Sequence, residues 1–162
     1  MTKRQVFIII LAALAFAAVW AAVIFVAVKK KDAGKFTPPP FEENAESGAP
    51  EIDDERFKMF DFAGVYSAGL IGEPEARNGI VDIYFTSAET NTVWLKCKIL
   101  SEDGKLLAET GVLKPGSYVK SVTLQKEIKS DTPVKYRVIS YTPETYYSEG
   151  SVNIGTTLHI VE

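Results

Sequence analysis

Val93-Trp94-Leu95-Lys96-Cys97-Lys98-Ile99-Leu100 is the stretch whose reading decides the fold class. Val93, Leu95, Cys97 and Ile99 alternate with Trp94, Lys96 and Lys98. A period of two sends one set of side chains to each face of an extended chain, whereas a helix would need a period near 3.6. The stretch therefore reads as a half-buried strand of an antiparallel sheet. Ser101-Glu102-Asp103-Gly104 follows at once. Asp-Gly between alternating runs is a hairpin signal, because glycine takes the positive φ that tight turns require. Lys105 to Val112 is then expected to pair back.

Working outward, Val81, Ile83 and Phe85 alternate with Asp82 and Tyr84. Lys114-Pro115-Gly116-Ser117 supplies a second turn, after which Tyr118 to Leu124 is expected to be extended. Lys129-Ser130-Asp131-Thr132-Pro133 separates that run from Val134 to Tyr141. The last run, Ser151 to Val161, carries Val152, Ile154, Thr156, Leu158 and Ile160 on one face. A further strand is expected between Phe57 and Arg77, without fixed bounds. About seven strands with turn signals every 8–12 residues imply an all-β domain, an immunoglobulin-like antiparallel β-sandwich, with a small barrel as the alternative. Tyr136, near the start of the penultimate run, is a candidate tyrosine corner or ordinary core.

The domain occupies residues 59–162. Upstream, Val6 to Val28 is a run of 23 residues without a charge, proline or glycine. A helix of that length spans about 35 Å, enough for a hydrocarbon core of about 30 Å. The run is longer than a signal-peptide core, and Lys29-Lys30-Lys31 stands where a cleavage region would be neutral, so one retained transmembrane helix (6–28) behind a short basic head (1–5) is expected. Ala13, Ala17 and Ala21 share a helix face, a spacing that chance also produces among eight alanines. Residues 29–58 read as a linker: Asp32 to Arg56 holds four of the eight prolines and eight acids, a composition unable to bury a core of its own. Pro38-Pro39-Pro40 favours polyproline II, and acids at 53–55 favour a short helix over Ile52 to Met59.

Charge is asymmetric. Residues 1–35 carry six basic side chains and one acid, a net of +5, and the remainder carries 12 and 20, a net of −8. The basic end suits a membrane surface, while an acidic β domain is a poor polyanion binder, which argues against a nucleic-acid partner. Lysines flank both ends of the apolar run, so the positive-inside count is divided. The expectation adopted here is a β domain outside the cytoplasmic membrane, although a strict count favours the cytoplasm. One cysteine, Cys97, excludes an internal disulfide and any two-cysteine metal motif.

Asp103-Gly104, Leu107, Gly111-Val112-Leu113-Lys114-Pro115-Gly116, Val119, Val122, Leu124, Tyr136 and Tyr141-Thr142-Pro143-Glu144 carry a resemblance. Over residues 78–161 the chain resembles a group of small single-pass membrane-anchored proteins of Gram-positive gut bacteria with a C-terminal immunoglobulin-like β domain. The resemblance implies a surface-facing sandwich and carries over no site residues.

No catalytic or metal-binding constellation is expected, and no cofactor. His159 is the single histidine and falls on the outward face of the last run, where a solvated residue is the ordinary reading. Cys97 alternates with apolar residues and reads as a small core hydrophobe rather than a nucleophile. No G-x-S-x-G elbow or glycine-rich phosphate loop is present. Glu73, Glu75 and Asp82 lack the ladder of a calcium loop. The aromatics are more informative. Trp94 and Tyr84 lie opposite their apolar sets, and Tyr118, Tyr141, Tyr146 and Tyr147 lie near turns. These six are the candidate partner-binding residues, although a loop covering Trp94 is its ordinary reading. The expected function is a membrane-tethered, non-enzymatic interaction module for a protein or cell-envelope partner. The alternatives are an accessory subunit of an envelope, secretion or conjugation complex and, less favoured, an envelope hydrolase.

Overall fold

A computed structural model describes residues 36–161. The expected transmembrane run, 6–28, lies outside the described residues. All regular elements among the described residues are strands: β1 (Glu46–Ser47), β2 (Phe57–Phe62), β3 (Tyr66–Ile71), β4 (Glu75–Arg77), β5 (Ile80–Ser87), β6 (Trp94–Ser101), β7 (Leu106–Glu109), β8 (Ser117–Thr123), β9 (Thr132–Tyr141) and β10 (Ser148–Ile160). Hydrogen-bonded neighbours run β1-β8-β5-β4-β10-β9-β6-β7, with β3 also on β5 and β2 on β3. The long strand β10 serves both halves. Ser148 to Leu158 pairs antiparallel with β9, and then His159 and Ile160 run parallel to Glu75 and Ala76 of β4.

The sheet thereby curls over one core. Val81, Ile83 and Phe85 of β5 meet Leu95, Cys97 and Ile99 of β6, Val134, Tyr136 and Val138 of β9, and Leu158 of β10. These are the inward sets that the period-two alternation defines. Each large side chain so buried contributes roughly 1.5–3 kcal/mol, and without a disulfide this packing carries the fold. Asp103-Gly104 makes its turn as expected, with Gly104 at φ 82.

The all-β class is as read, but ten strands replace about seven. Strands β5 to β10 match six of the expected runs, and β1 to β4 come from residues 46–77. The β4–β5 hairpin is a two-residue turn, Asn78-Gly79, at φ 51 and 78, between the paired residues Arg77 and Ile80. Asn-Gly is the preferred sequence for that turn. The short helix expected over Ile52 to Met59 is absent, because Phe57 to Phe62 pairs with Tyr66 to Ile71 instead. The nearby acids pin a turn: Arg56 donates from its backbone to Asp54 at 2.9 Å, and its guanidinium bridges Asp54 at 2.7 Å and Glu75 at 2.5 Å. Tyr136 is buried with its hydroxyl lacking a hydrogen-bond partner, so it is core and not a tyrosine corner.

The compact unit begins at Pro39, inside the stretch read as linker. Val112 N–H donates to Pro40 O at 2.8 Å, and Glu42 N–H donates to Val112 O at 3.0 Å. Farther on, β1 pairs with Ser117 and Tyr118 of β8, and Gly48 N–H donates to Gly116 O at 2.8 Å. Residues 40–48 thus form a strap across the β7–β8 connection. Gly111 makes room for it: a Cβ there would fall 2.5 Å from Glu42 Cα. Composition correctly denies this segment a core of its own. It does not register docking by backbone hydrogen bonds, which any sequence supplies, proline as an acceptor only.

Candidate functional site

Three of the six aromatic candidates come together on the outer face of β6 and β9, joined by one residue of the strap. Trp94 and Tyr141 are directly opposite across the β6–β9 pair. The β9–β10 loop brings Tyr146 over them, held by Tyr146 N–H to Thr142 O at 3.0 Å and by a left-handed backbone at Tyr146, φ 55. Ring centroids of Trp94 and Tyr146 are 5.1 Å apart, edge to face, and those of Tyr141 and Tyr146 are 6.5 Å apart. Phe41 completes the group, 4.9 Å from Trp94 edge to face and 6.3 Å from Tyr146. Lys114 places Nζ 4.7 Å from the Phe41 ring centre, a cation–π distance. Trp94 is therefore half-covered, by a loop residue and a strap residue, while Phe41 keeps 38% exposure.

The other three candidates lie elsewhere. Tyr147 is 74% exposed, next to Tyr146 in the β9–β10 loop. Tyr84 sits at a bulge in β5, where the register slips between Asp82 and Phe85, and its φ of 46 is unusual for a bulky residue. Bulges re-aim side chains. Here Tyr84 lines a crevice of about 440 Å³ with Ser47, Ala49, Glu51, Tyr118 and Lys120. Tyr118 is buried and already engaged: its hydroxyl donates to Glu46 Oε2 at 2.7 Å, and Lys120 Nζ lies 3.1 Å from the other oxygen of that carboxylate. Those two partners hold the Glu46 carboxyl below its usual range, and the same carboxylate pushes the Tyr118 hydroxyl up. Tyr118 fastens the strap rather than offering an open surface.

Two residues along β6 from Trp94 lies a buried charge that the alternation misplaces. Lys96 belongs to the polar set of β6, yet it is only 7% exposed. Its Nζ is 3.1 Å from Glu109 Oε2, and Lys98 Nζ is 3.3 Å from the same oxygen. Burial raises the Glu109 carboxyl, and the two lysines more than offset that and hold it below its usual range. Burial, and then the Glu109 charge, push the Tyr141 hydroxyl up.

The remaining reactive residues are dispersed. Cys97 is interior, and burial pushes its thiol far above the usual range, which suppresses the thiolate. His159 is at the surface, its Nδ1 2.7 Å from Asp131 Oδ2. The Ile160 backbone N–H, and then His159, hold the Asp131 carboxyl low. Glu75 is committed to Arg56. Among the described residues no three His, Cys, Asp or Glu side chains converge as a metal site. Also among the described residues, no helix is long and apolar enough to cross a membrane. Phe41 was missed in the sequence because it follows three prolines, where an aromatic reads as part of a spacer.

No protein family matches the chain, and no curated protein matches it. Among solved structures it is similar to the crystal structure of CopC from Methylosinus trichosporium OB3b, at 16% identity over 65% of this chain and 96% of that chain, with a TM-score of 0.32. A superposition that loose transfers neither topology nor activity.

Proposed function

We propose that this chain is a membrane-tethered interaction module, without catalytic activity, that holds a protein partner against the surface formed by Phe41, Trp94, Tyr141 and Tyr146. The observation that carries the reading is the convergence of four aromatic rings and Lys114 from four separate segments on one sheet face. Aromatic side chains supply large contact area with few rotors and dominate the energetics of protein interfaces. A protein fits better than a glycan because the rings meet edge to face and leave partial faces and edges, which suits side-chain insertion rather than stacking of a flat sugar ring. The apolar run 6–28 is the tether, and the domain lies outside the cytoplasmic membrane as a variant of the immunoglobulin-like sandwich in which β10 crosses between sheet halves. The resemblance to small anchored surface proteins agrees with that placement.

Two measurements test it. The full chain is expected to stay with membranes through carbonate extraction, and protease added to intact spheroplasts is expected to digest the β domain. Protection until lysis places the domain in the cytoplasm and removes the envelope setting. Trp94→Ala with Tyr146→Ala is expected to abolish cross-links to a partner in intact membranes. Undiminished cross-linking moves the contact away from these rings.

A further inference from the structure

The strap is attached to the domain in a way that differs from the rest of the sheet. Its contacts are peripheral: backbone bonds at Pro40, Glu42 and Gly48, the Glu42 carboxylate accepting from Gly111 N–H at 2.6 Å, and the Glu46 carboxylate held by Tyr118 and Lys120. No strap residue belongs to the buried core cluster. Two crevices adjoin it: one of about 610 Å³ beside Gly48, Pro50, Phe57 and Met59, and one of about 410 Å³ beside Phe41, Ala45 and Lys114. Yet this loosely seated segment supplies Phe41, the ring that closes over Trp94.

We propose that residues 40–48 are a releasable strap whose docking completes the aromatic surface, so that partner binding and strap docking are coupled. The proposal rests on the aromatic surface being the partner site. Docked, Phe41 lies on Trp94 and under Lys114. Released, Phe41 leaves with the strap, and up to 14 residues (40–53), as far as the turn that Asp54 and Arg56 pin, join the tether, a gain in reach of up to about 50 Å. A partner that needs Phe41 binds the docked state, and by linkage it holds the strap down and the tether short. Tension on the tether favours the released state and weakens that partner. The device needs a hinge, and Ala49 to Asp53, outside any strand and carrying Pro50, provides it.

Gly111→Ala is the discriminating change. Gly111 has no need of a positive φ, and its nearest potential clashes are all with Phe41 and Glu42, so a methyl group there opposes the strap and spares the core. The counter-variant is Ser47→Cys with Ser117→Cys, directly paired positions that a disulfide would lock. The assay is native-state amide hydrogen exchange on the full chain in nanodiscs. Wild type is expected to show Glu42, Gly48 and Val112 opening together, with protection at least about tenfold below that of β6 and β9 amides. Gly111→Ala is expected to remove the protection of Val112 and Glu42 while β6 and β9 keep theirs, and the disulfide to raise it. The proposal is overturned if strap and β6–β9 amides share one opening, or if Gly111→Ala leaves Val112 protected. Cross-linking at Trp94 then separates the two readings. Loss in Gly111→Ala and recovery in the locked form support coupling, and unchanged cross-linking overturns the coupling while leaving the aromatic site intact. No cross-links even in the locked form remove the partner site, and the coupling with it, while the exchange data still decide whether the strap is releasable.

Discussion

Replacing Phe41 with Ala tests whether the strap covers Trp94. Phe41 keeps 38% exposure, so about three-fifths of its surface is covered. An aromatic side chain buries 150–250 Å² when fully covered, so the covered part is roughly 120 Å². At about 25 cal/mol per Å² this amounts to ~3 kcal/mol as an upper bound. The measured loss must be smaller, because a weakened strap has the option of undocking. The cost is then capped at the free energy of docking, and about 1–2 kcal/mol is expected, within the usual range for a partly buried contact. A fragment starting at Phe36 suits the assay, since the chain's second tryptophan, Trp20, lies upstream and Trp94 becomes the single reporter. The variant is expected to shift Trp94 emission to the red and to lower the urea midpoint without changing the slope. Unchanged emission together with a loss below about 0.3 kcal/mol, less than an ordinary buried contact costs, would refute the coverage of Trp94 by Phe41.

Three further outcomes follow from the same geometry. Glu109→Ala leaves Lys96 buried without its carboxylate and is expected to cost about 2–4 kcal/mol in urea unfolding, whereas Lys96→Met, which removes the charge and keeps the volume, is expected to be close to neutral. Carboxyls held low in the folded state, at Glu46, Asp54, Asp103, Glu109 and Asp131, contribute stability that is complete above their ordinary values near 4 and lost as pH falls through their lowered ones. Acid unfolding should therefore begin below about pH 4 and run toward pH 2, the value to which Asp103 is lowered, and a stability maximum in that interval would contradict the assignments. A fragment starting at Ile52, which lacks the strap, is expected to remain β-rich but to show red-shifted Trp94 emission relative to one starting at Phe36. Identical spectra would mean that the strap does not cover the tryptophan.

The legible part of this fold is the part where a strand has one wet face. Strand β9 alternates throughout and β5 as far as its bulge, because outward positions such as Arg137 and Asp82 face solvent. Tyr66-Ser67-Ala68-Gly69-Leu70-Ile71 is covered on both faces, so alternation gives way to near-continuous burial and no period marks it. Gly69 is part of the reason: its bare Cα leaves room for the Phe57 ring and the Met59 sulfur above the strand. Lys96 obeys the pattern in direction but not in exposure, since alternation assigns a face and cannot say what lies on it. Trp94, Tyr141 and Tyr146 were legible as polar-side or near-turn aromatics. Their convergence was not, because it depends on the cross-strand register of β6 with β9 and on the left-handed turn at Tyr146. The strap was illegible for a different reason. Its docking depends on what Gly111 lacks, some 69 residues from Glu42 in sequence, and neither segment carries a mark of the other.

The central claim, that the aromatic face is where a protein partner sits, meets its most direct test in a scan of photo-activatable cross-linkers placed one at a time in the full chain in intact membranes. Positions Tyr147 and Glu144, exposed in the β9–β10 loop that carries Tyr146, are compared with Lys129 and Glu127, exposed on a loop before β9. One discrete protein adduct is expected from the β9–β10 loop positions, lost when Trp94 and Tyr146 are replaced by Ala, and none from Lys129 or Glu127. Adducts of equal yield from both sets, or from Lys129 and Glu127 alone, would contradict the claim.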